Sequence, residues 1–314
     1  MLLSILIPLM SAQSALLTPQ PPIVVPGGAG KFDFMNVDLK DRLAFACQPG
    51  KSAFVVIDLD TDKVLSVNAG TEVNGIDSDP KGHKIYAAGP GKTLVQFDMK
   101  SWTKSGSLNL SGPGDSVIYD QKRGVVYVDN DDGTNLWFVN PKGLNISSTV
   151  TIKEAPEVMV LDSGRNKIFQ NIKTSNSVQV IDTGSRKVVG EFPLGPLTSP
   201  HGLAEDVAAG KLFSVGKNGK LVILNADSGS ILSTVDVTKN SDQIAYDSEL
   251  KRLYIPGSGV LQVVQILPEG ATIIGSVALA SGCHSVAVDR KTHNVWVVYS
   301  DKTESYAQKF VVAK

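Results

Sequence analysis

The 314-residue chain is poor in the features that announce most functions. It has no cluster of Lys and Arg: 30 basic and 31 acidic residues are mixed along it, for a formal net charge of −1. A nucleic-acid binder needs a concentrated positive footprint, so nucleic acid is not an expected partner. No basic amphipathic stretch points to a membrane surface, and no apolar run reaches the ~20 residues that span a bilayer. Helical periodicity of 3.6 residues is missing as well. The motif inventory is equally thin. There is no Gly-x-Ser-x-Gly nucleophile elbow, no His-Glu-x-x-His, and no dinucleotide fingerprint between a strand and a helix. Gly89-Pro-Gly-Lys-Thr93 looks like a phosphate loop, but Tyr86 stands where its first Gly belongs. Asp129-Asn-Asp-Asp-Gly133 is acidic without the spacing of a calcium loop. No cofactor is therefore expected, and no motif supports a metal.

What is present begins with an apolar run from Leu2 to Met10, followed by small residues at Ala12 and Ser14. This pattern reads as a signal peptide over residues 1–14, cleaved before Ala15, although no Lys or Arg precedes it. The alternative is a buried N-terminal strand. The first reading places the mature protein in the secretory pathway or outside the cell (the periplasm, if bacterial). Two sequons, Asn109-Leu-Ser and Asn145-Ile-Ser, are compatible with eukaryotic secretion and glycosylation.

An internal repeat organises the rest. Short alternating runs end in Asp38, Asp79, Asp120, Asp162, Asp206, Asp247 and Asp289, spaced 41, 41, 42, 44, 41 and 42 residues apart. Six residues after each Asp from Asp79 onward comes an apolar–aromatic pair, from Ile85-Tyr86 to Val295-Trp296. A third marker, Asp58, Asp98, Asn140, Asp182 and Asn225, closes the following strand in step. A period near 42 residues suits one four-stranded blade. The expected fold is all-β, a seven-bladed β-propeller forming one domain over residues 15–314. Its blades fall at about 31–71, 72–112, 113–154, 155–196, 197–239, 240–281 and 282–314. The last blade lacks an outer strand, and Pro22 to Pro26 supplies one, closing the ring and covering its edge. The aromatics of the second strands are expected to wedge between blades.

Segments such as Val55-Val-Ile-Asp-Leu-Asp-Thr-Asp-Lys-Val64 and Ser285-Val-Ala-Val-Asp289 resemble the YVTN/NHL-like propeller repeat over nearly the whole mature chain. That resemblance implies the fold and leaves function open, since such propellers include enzymes, binding proteins and surface scaffolds. In overall character the chain is also similar to secreted fungal propeller cyclases that catalyse hetero-Diels–Alder reactions in tropolonic sesquiterpene pathways. That likeness implies a cofactor-independent enzyme of secondary metabolism.

Counting five residues back from each marker Asp finds the start of every inner strand, beside the central channel on the top face. The residues there are Asp33, Asn74, Asp115, Glu157, His201, Asp242 and His284. All seven are polar, and acids alternate with histidines from Glu157 round to Asp33. An acid beside a His favours the imidazolium and keeps the carboxylate charged, and such pairs move protons near neutral pH. His201, His284, Asp242, Glu157 and Asp33 are the candidate catalytic groups. Asn74 and Asp115, with Tyr299, Tyr306, Lys51 and Lys173 from the rim loops, are candidate ligand contacts. Polar residues at strand starts also serve merely to satisfy loop backbone. His83 and His293 fall in turns on the opposite face and are expected to be solvated. Cys47 and Cys283 lie on blades that neighbour each other only if the ring closes, so either a disulfide across the seam or two free thiols is expected.

The expected function is that of an enzyme acting on a small organic molecule in the top pocket, working as a monomer. The alternatives are a non-catalytic propeller binding a ligand or a protein, and a metal-dependent lactonase-like hydrolase with an ion in the ring.

Overall fold

The computed structural model describes residues 16–313. The segment read as a signal peptide lies outside the described residues. Strands dominate, arranged as seven antiparallel sheets in a seven-bladed propeller, with one short 3-10 turn at Pro49–Lys51. Among the described residues no helix is long and apolar enough to cross a membrane.

Each blade runs from an inner strand a at the channel to an outer strand d. In the third blade these are Gly114–Asp120, Val125–Asn130, Asn135–Asn140 and Asn145–Thr151. Strand a is shorter in three consecutive blades of the ring: Ala245–Asp247, Ser285–Val288 and Met35–Asp38. The ring closes as the repeat implies. Ile23–Val25 pairs with Ser305–Val312 of the seventh blade, and Leu17–Pro19 extends the same ladder, with Leu17 opposite Val312. The N-terminal contribution is thus two short strands rather than one.

Core formation follows from the blade repeat. Alternation sends one face of each sheet against the next blade, so the apolar core divides into seven clusters. The strand-b aromatics Phe45, Tyr86, Tyr127, Phe169, Phe213, Tyr254 and Trp296 are all fully buried within them. Phe54 and Phe97 meet edge to face at 5.0 Å across the first blade junction.

The marker aspartates close the turns after strand a. Their Oδ1 atoms accept backbone N–H groups two and three residues on, as from Lys40 and Asp41 at Asp38 or Glu249 and Leu250 at Asp247. The second oxygen often ties the next blade. Asp38 accepts from Ser78 at 2.9 Å, Asp206 from Tyr246 at 2.6 Å, and Asp289 takes both guanidinium nitrogens of Arg42 at 2.7 Å across the closure seam. His293 is part of this system: it is buried, with Nδ1 2.7 Å from Asp247 Oδ2, so the expectation of a solvated turn residue is corrected. A buried carboxylate needs a partner, and the turn supplies one. His83 remains half-exposed, at a positive φ of 52°.

Both cysteines are free and buried. Cys47 packs into the cluster between the first and second blades, and Cys283 into the one between the sixth and seventh. Their side chains therefore point away from the seam from opposite sides, and of the two readings the free thiols hold. Burial raises both thiols, Cys283 to about 12.

Candidate functional site

All seven residues at the strand-a starts line one chamber at the top of the channel, with a volume of about 230 Å³. Each is half-buried. Lys31, Asp131 and Ser116 complete its polar wall, and Phe34, Val158 and Gln243 its base. Gln243 forms the floor by bonding across the channel: its side-chain oxygen accepts from Met35 N at 3.0 Å, and its amide donates to Met35 O at 2.6 Å. Met35 stands on the innermost, edge strand of its blade, whose channel-facing backbone groups have no ladder partner among the described residues and are free for this bridge.

A chain of contacts joins four of the ring residues. His201 Nε2 lies 3.4 Å from Glu157 Oε1 and 3.9 Å from Asp242 Oδ1, and His284 Nδ1 lies 3.0 Å from Asp242 Oδ2. His201 Nδ1 donates to the carbonyl of Ser199 at 2.9 Å. That bond fixes the tautomer and leaves the Nε2 lone pair facing the acids. Lysines from the rim intervene. Lys173 pairs with Glu157 at 2.7 Å, and Lys217 pairs with Asp242. Beneath them the fully buried Asp129 accepts from Ser116 N at 2.7 Å and from Gln170 at 3.0 Å.

The charge states differ from those expected of alternating acids and histidines. Burial pushes His201 down to about 4, and the positive charge of Lys217 pushes the same way. Burial also lowers His284, outweighing the pull of Asp33. The acids move up. Burial and the surrounding carboxylates lift Asp115 well above its ordinary range; burial lifts Asp129 to about 8 and raises Asp33, Asp131 and Glu157. Burial lowers Lys217, whereas for Lys173 the bond to Glu157 overcomes burial and raises it. Desolvation disfavours every charge here, and the lysines take the role of counter-ion that imidazolium was expected to fill. The resulting site sets imidazoles held toward their neutral, accepting form beside carboxyls held toward their protonated form and beside ammonium donors.

The rim candidates fare unevenly. Lys173 reaches Glu157 in the ring. Lys51 instead packs beside Gly28 and Gly30 and is not part of the chamber wall. Tyr299 and Tyr306 stack on each other at 5.3 Å, and Tyr306 donates to Asp301 in an exposed loop. Neither lines the chamber. Lys31, Asp131 and Lys217 were not singled out, although Asp131 and Lys217 sit in loops legible as rim. Their signal was position alone, since many rim residues are charged. Asn109 and Asn145 are both exposed on outer strands, far from the channel. Among the described residues no three His, Cys, Asp or Glu side chains converge to hold a metal ion.

No protein-family model matches the chain, and no curated protein matches it. Solved structures do. A chain in the crystal structure of a mitotic checkpoint complex is similar at a TM-score of 0.79 and 13% identity, covering 98% of each chain. A chain of Kuenenia stuttgartiensis hydrazine synthase is similar at 0.74 and 11% identity, covering 84% of this chain and 91% of that one. At such identities the likeness is one of fold, and the fold shared is the seven-bladed β-propeller.

Proposed function

We propose that the top chamber is the active site of an enzyme that acts on a small polar organic molecule by proton transfer and hydrogen bonding, without a redox cofactor. One observation carries this reading: His201 and His284 flank Asp242 in a chamber where burial disfavours the charged forms of both imidazoles and of Asp115. A site that only satisfied its loops would not need donors and acceptors left facing a cavity.

In this reading His201, its Nδ1–H committed to Ser199, takes a proton at Nε2. Asp115, whose protonated form burial favours, donates to a carbonyl or leaving oxygen, a role that a neutral carboxylic acid can fill and a carboxylate cannot. Lys217 and Lys173 hold Asp242 and Glu157 in place and balance charge as the proton moves. Elimination, lactone opening and cyclisation all use these elements. The volume favours a compact substrate, since about 230 Å³ is below the ~300–1,000 Å³ of typical drug-sized sites. The cyclase likeness therefore requires a substrate that projects above the rim.

The test is a comparison of small molecules made by the source organism with and without the gene, complemented with His201→Ala. Loss of one compound with build-up of a precursor, restored by the wild type and not by the variant, supports the enzyme. An unchanged profile overturns it in favour of a binding protein.

A further inference from the structure

Below the Gln243 floor the channel changes character. A cavity of about 480 Å³ opens toward the bottom face, wider than the top chamber. A smaller one of about 180 Å³ adjoins it, sharing Phe34, Asn36, Gln243, Ile244 and Arg290. Apolar side chains make up part of the wall, with Ile118, Tyr119, Val160 and Leu161 on the larger cavity and Val37 and Ala287 on the smaller, beside polar groups such as Asn36, Asp77 and Ser116. Ile118, Val160, Leu161 and Val37 are only half-buried, although they stand on the innermost strands. In a filled core they would be covered; here the channel leaves them uncovered.

The polar groups are few and mostly spent. Asp77 accepts from Asn36 at 2.7 Å, from Ser78 N at 2.8 Å and from Tyr119 N at 2.7 Å, so both its oxygens are occupied. Arg290 differs. It is exposed, lines both cavities, and among the described residues makes no ion pair or hydrogen bond. The turns around this mouth also carry Lys40, Lys81, Lys122 and Lys291, each two residues after a marker Asp. Lys40 and Lys122 donate to the carbonyls of Pro80 and Ser163 rather than to carboxylates. Asp41 and Glu249 stand in the same turns, so Arg290 is singled out as the cation, unpaired among the described residues, beside a cavity whose wall includes Ile118, Val160 and Leu161.

We propose that the lower channel is a second ligand site, for a monoanionic amphiphile whose apolar body fills the cavity and whose acid group meets Arg290 at the bottom mouth. The volume suits a medium-length alkyl or compact polycyclic body. The Gln243–Met35 bridge lies between the two spaces, which share Phe34, Ser116, Val158 and Gln243 in their walls, while Arg290 lines only the lower one.

Isothermal titration of the whole protein with dodecanoate, below its micelle concentration, tests this. Saturable one-to-one binding is expected, weakened about tenfold in Arg290→Gln, as loss of a single charge-assisted bond implies. Dodecanol should bind the wild type no better than dodecanoate binds that variant. Ile118→Trp, which narrows the cavity, should weaken binding severalfold while circular dichroism shows the fold intact; Val160→Phe serves if the first variant fails to fold. His201→Ala should bind dodecanoate as the wild type does. Absence of saturable binding overturns the proposal, as does binding indifferent to both Arg290→Gln and the narrowing variants. Loss in His201→Ala would place the ligand in the upper chamber and overturn it too.

Discussion

Each blade carries two polar side chains five residues apart, one at the top of the inner strand and one at the turn below it, so the molecule holds two rings of seven. The lower ring is Asp in every blade, each side chain buried and engaged with the turn it closes. In the upper ring the residue type changes from blade to blade, each side chain is half-buried, and several have shifted protonation. A position that repeats serves something every blade needs, which is closure of the a–b turn. Where type varies around a ring of equivalent sites, the blades have been made unequal. Only unequal blades can present an acid on one side of a ligand and a base on the other.

Substitutions in the two rings should separate these roles. The largest effect is expected at the upper ring: His201→Ala should cut turnover by about 10²–10⁴-fold while the melting temperature barely moves. A variant that melts early but retains activity per folded molecule would erase the distinction. In the lower ring the opposite pattern is expected from Asp289→Ala. It leaves the largely buried Arg42 guanidinium with only the exposed Asp60 as ionic partner and should cost roughly 3 kcal/mol by urea unfolding, with turnover per folded molecule unchanged.

A smaller and pH-dependent effect is expected from Asp129→Asn. Burial lifts this carboxyl from 3.8 to about 8, so the folded chain holds a proton that the unfolded chain releases. The stability this proton contributes is full below about pH 4 and is lost as pH rises through about 8. The wild type should therefore weaken relative to the Asn variant between pH 5 and pH 8. His201 acts in the opposite sense. Its fall from 6.5 to about 4 gives stability that is full above pH 6.5 and lost toward pH 4. Equal slopes for the wild type and Asp129→Asn would show that Asp129 is charged when folded. The least effect is expected at the outer turns. Asp182 is bonded to Ser185 N and Lys167 but solvated, and Asp182→Ala should shift stability by no more than about 1 kcal/mol.

The fold was legible because it is periodic: a spacing near 42 residues can be read without knowing any contact. The seven upper-ring positions were legible for the same reason, as a fixed offset from Asp38 and its equivalents. Their protonation was not. Whether His201 is charged depends on how deeply the ring sits and on Lys217 and Lys173, which arrive from loops of irregular length and sequence. Burial also decided His293. Its turn looks like any other in sequence, and only the packing of the sixth blade against the seventh sets Asp247 beside it.

The closure has a consequence for biosynthesis. Leu17 meets Val312, so the seventh sheet unites residues from almost the full span of the chain. Six blades are complete in local sequence and can form as they leave the ribosome; the seventh must wait for its final strand. Until then the early segment has no place to pair, and the first and seventh blades leave their flanks uncovered. The newborn protein is thus most exposed to mispairing until Ser305–Val312 emerges, and that strand carries the step that makes the ring a single cooperative body.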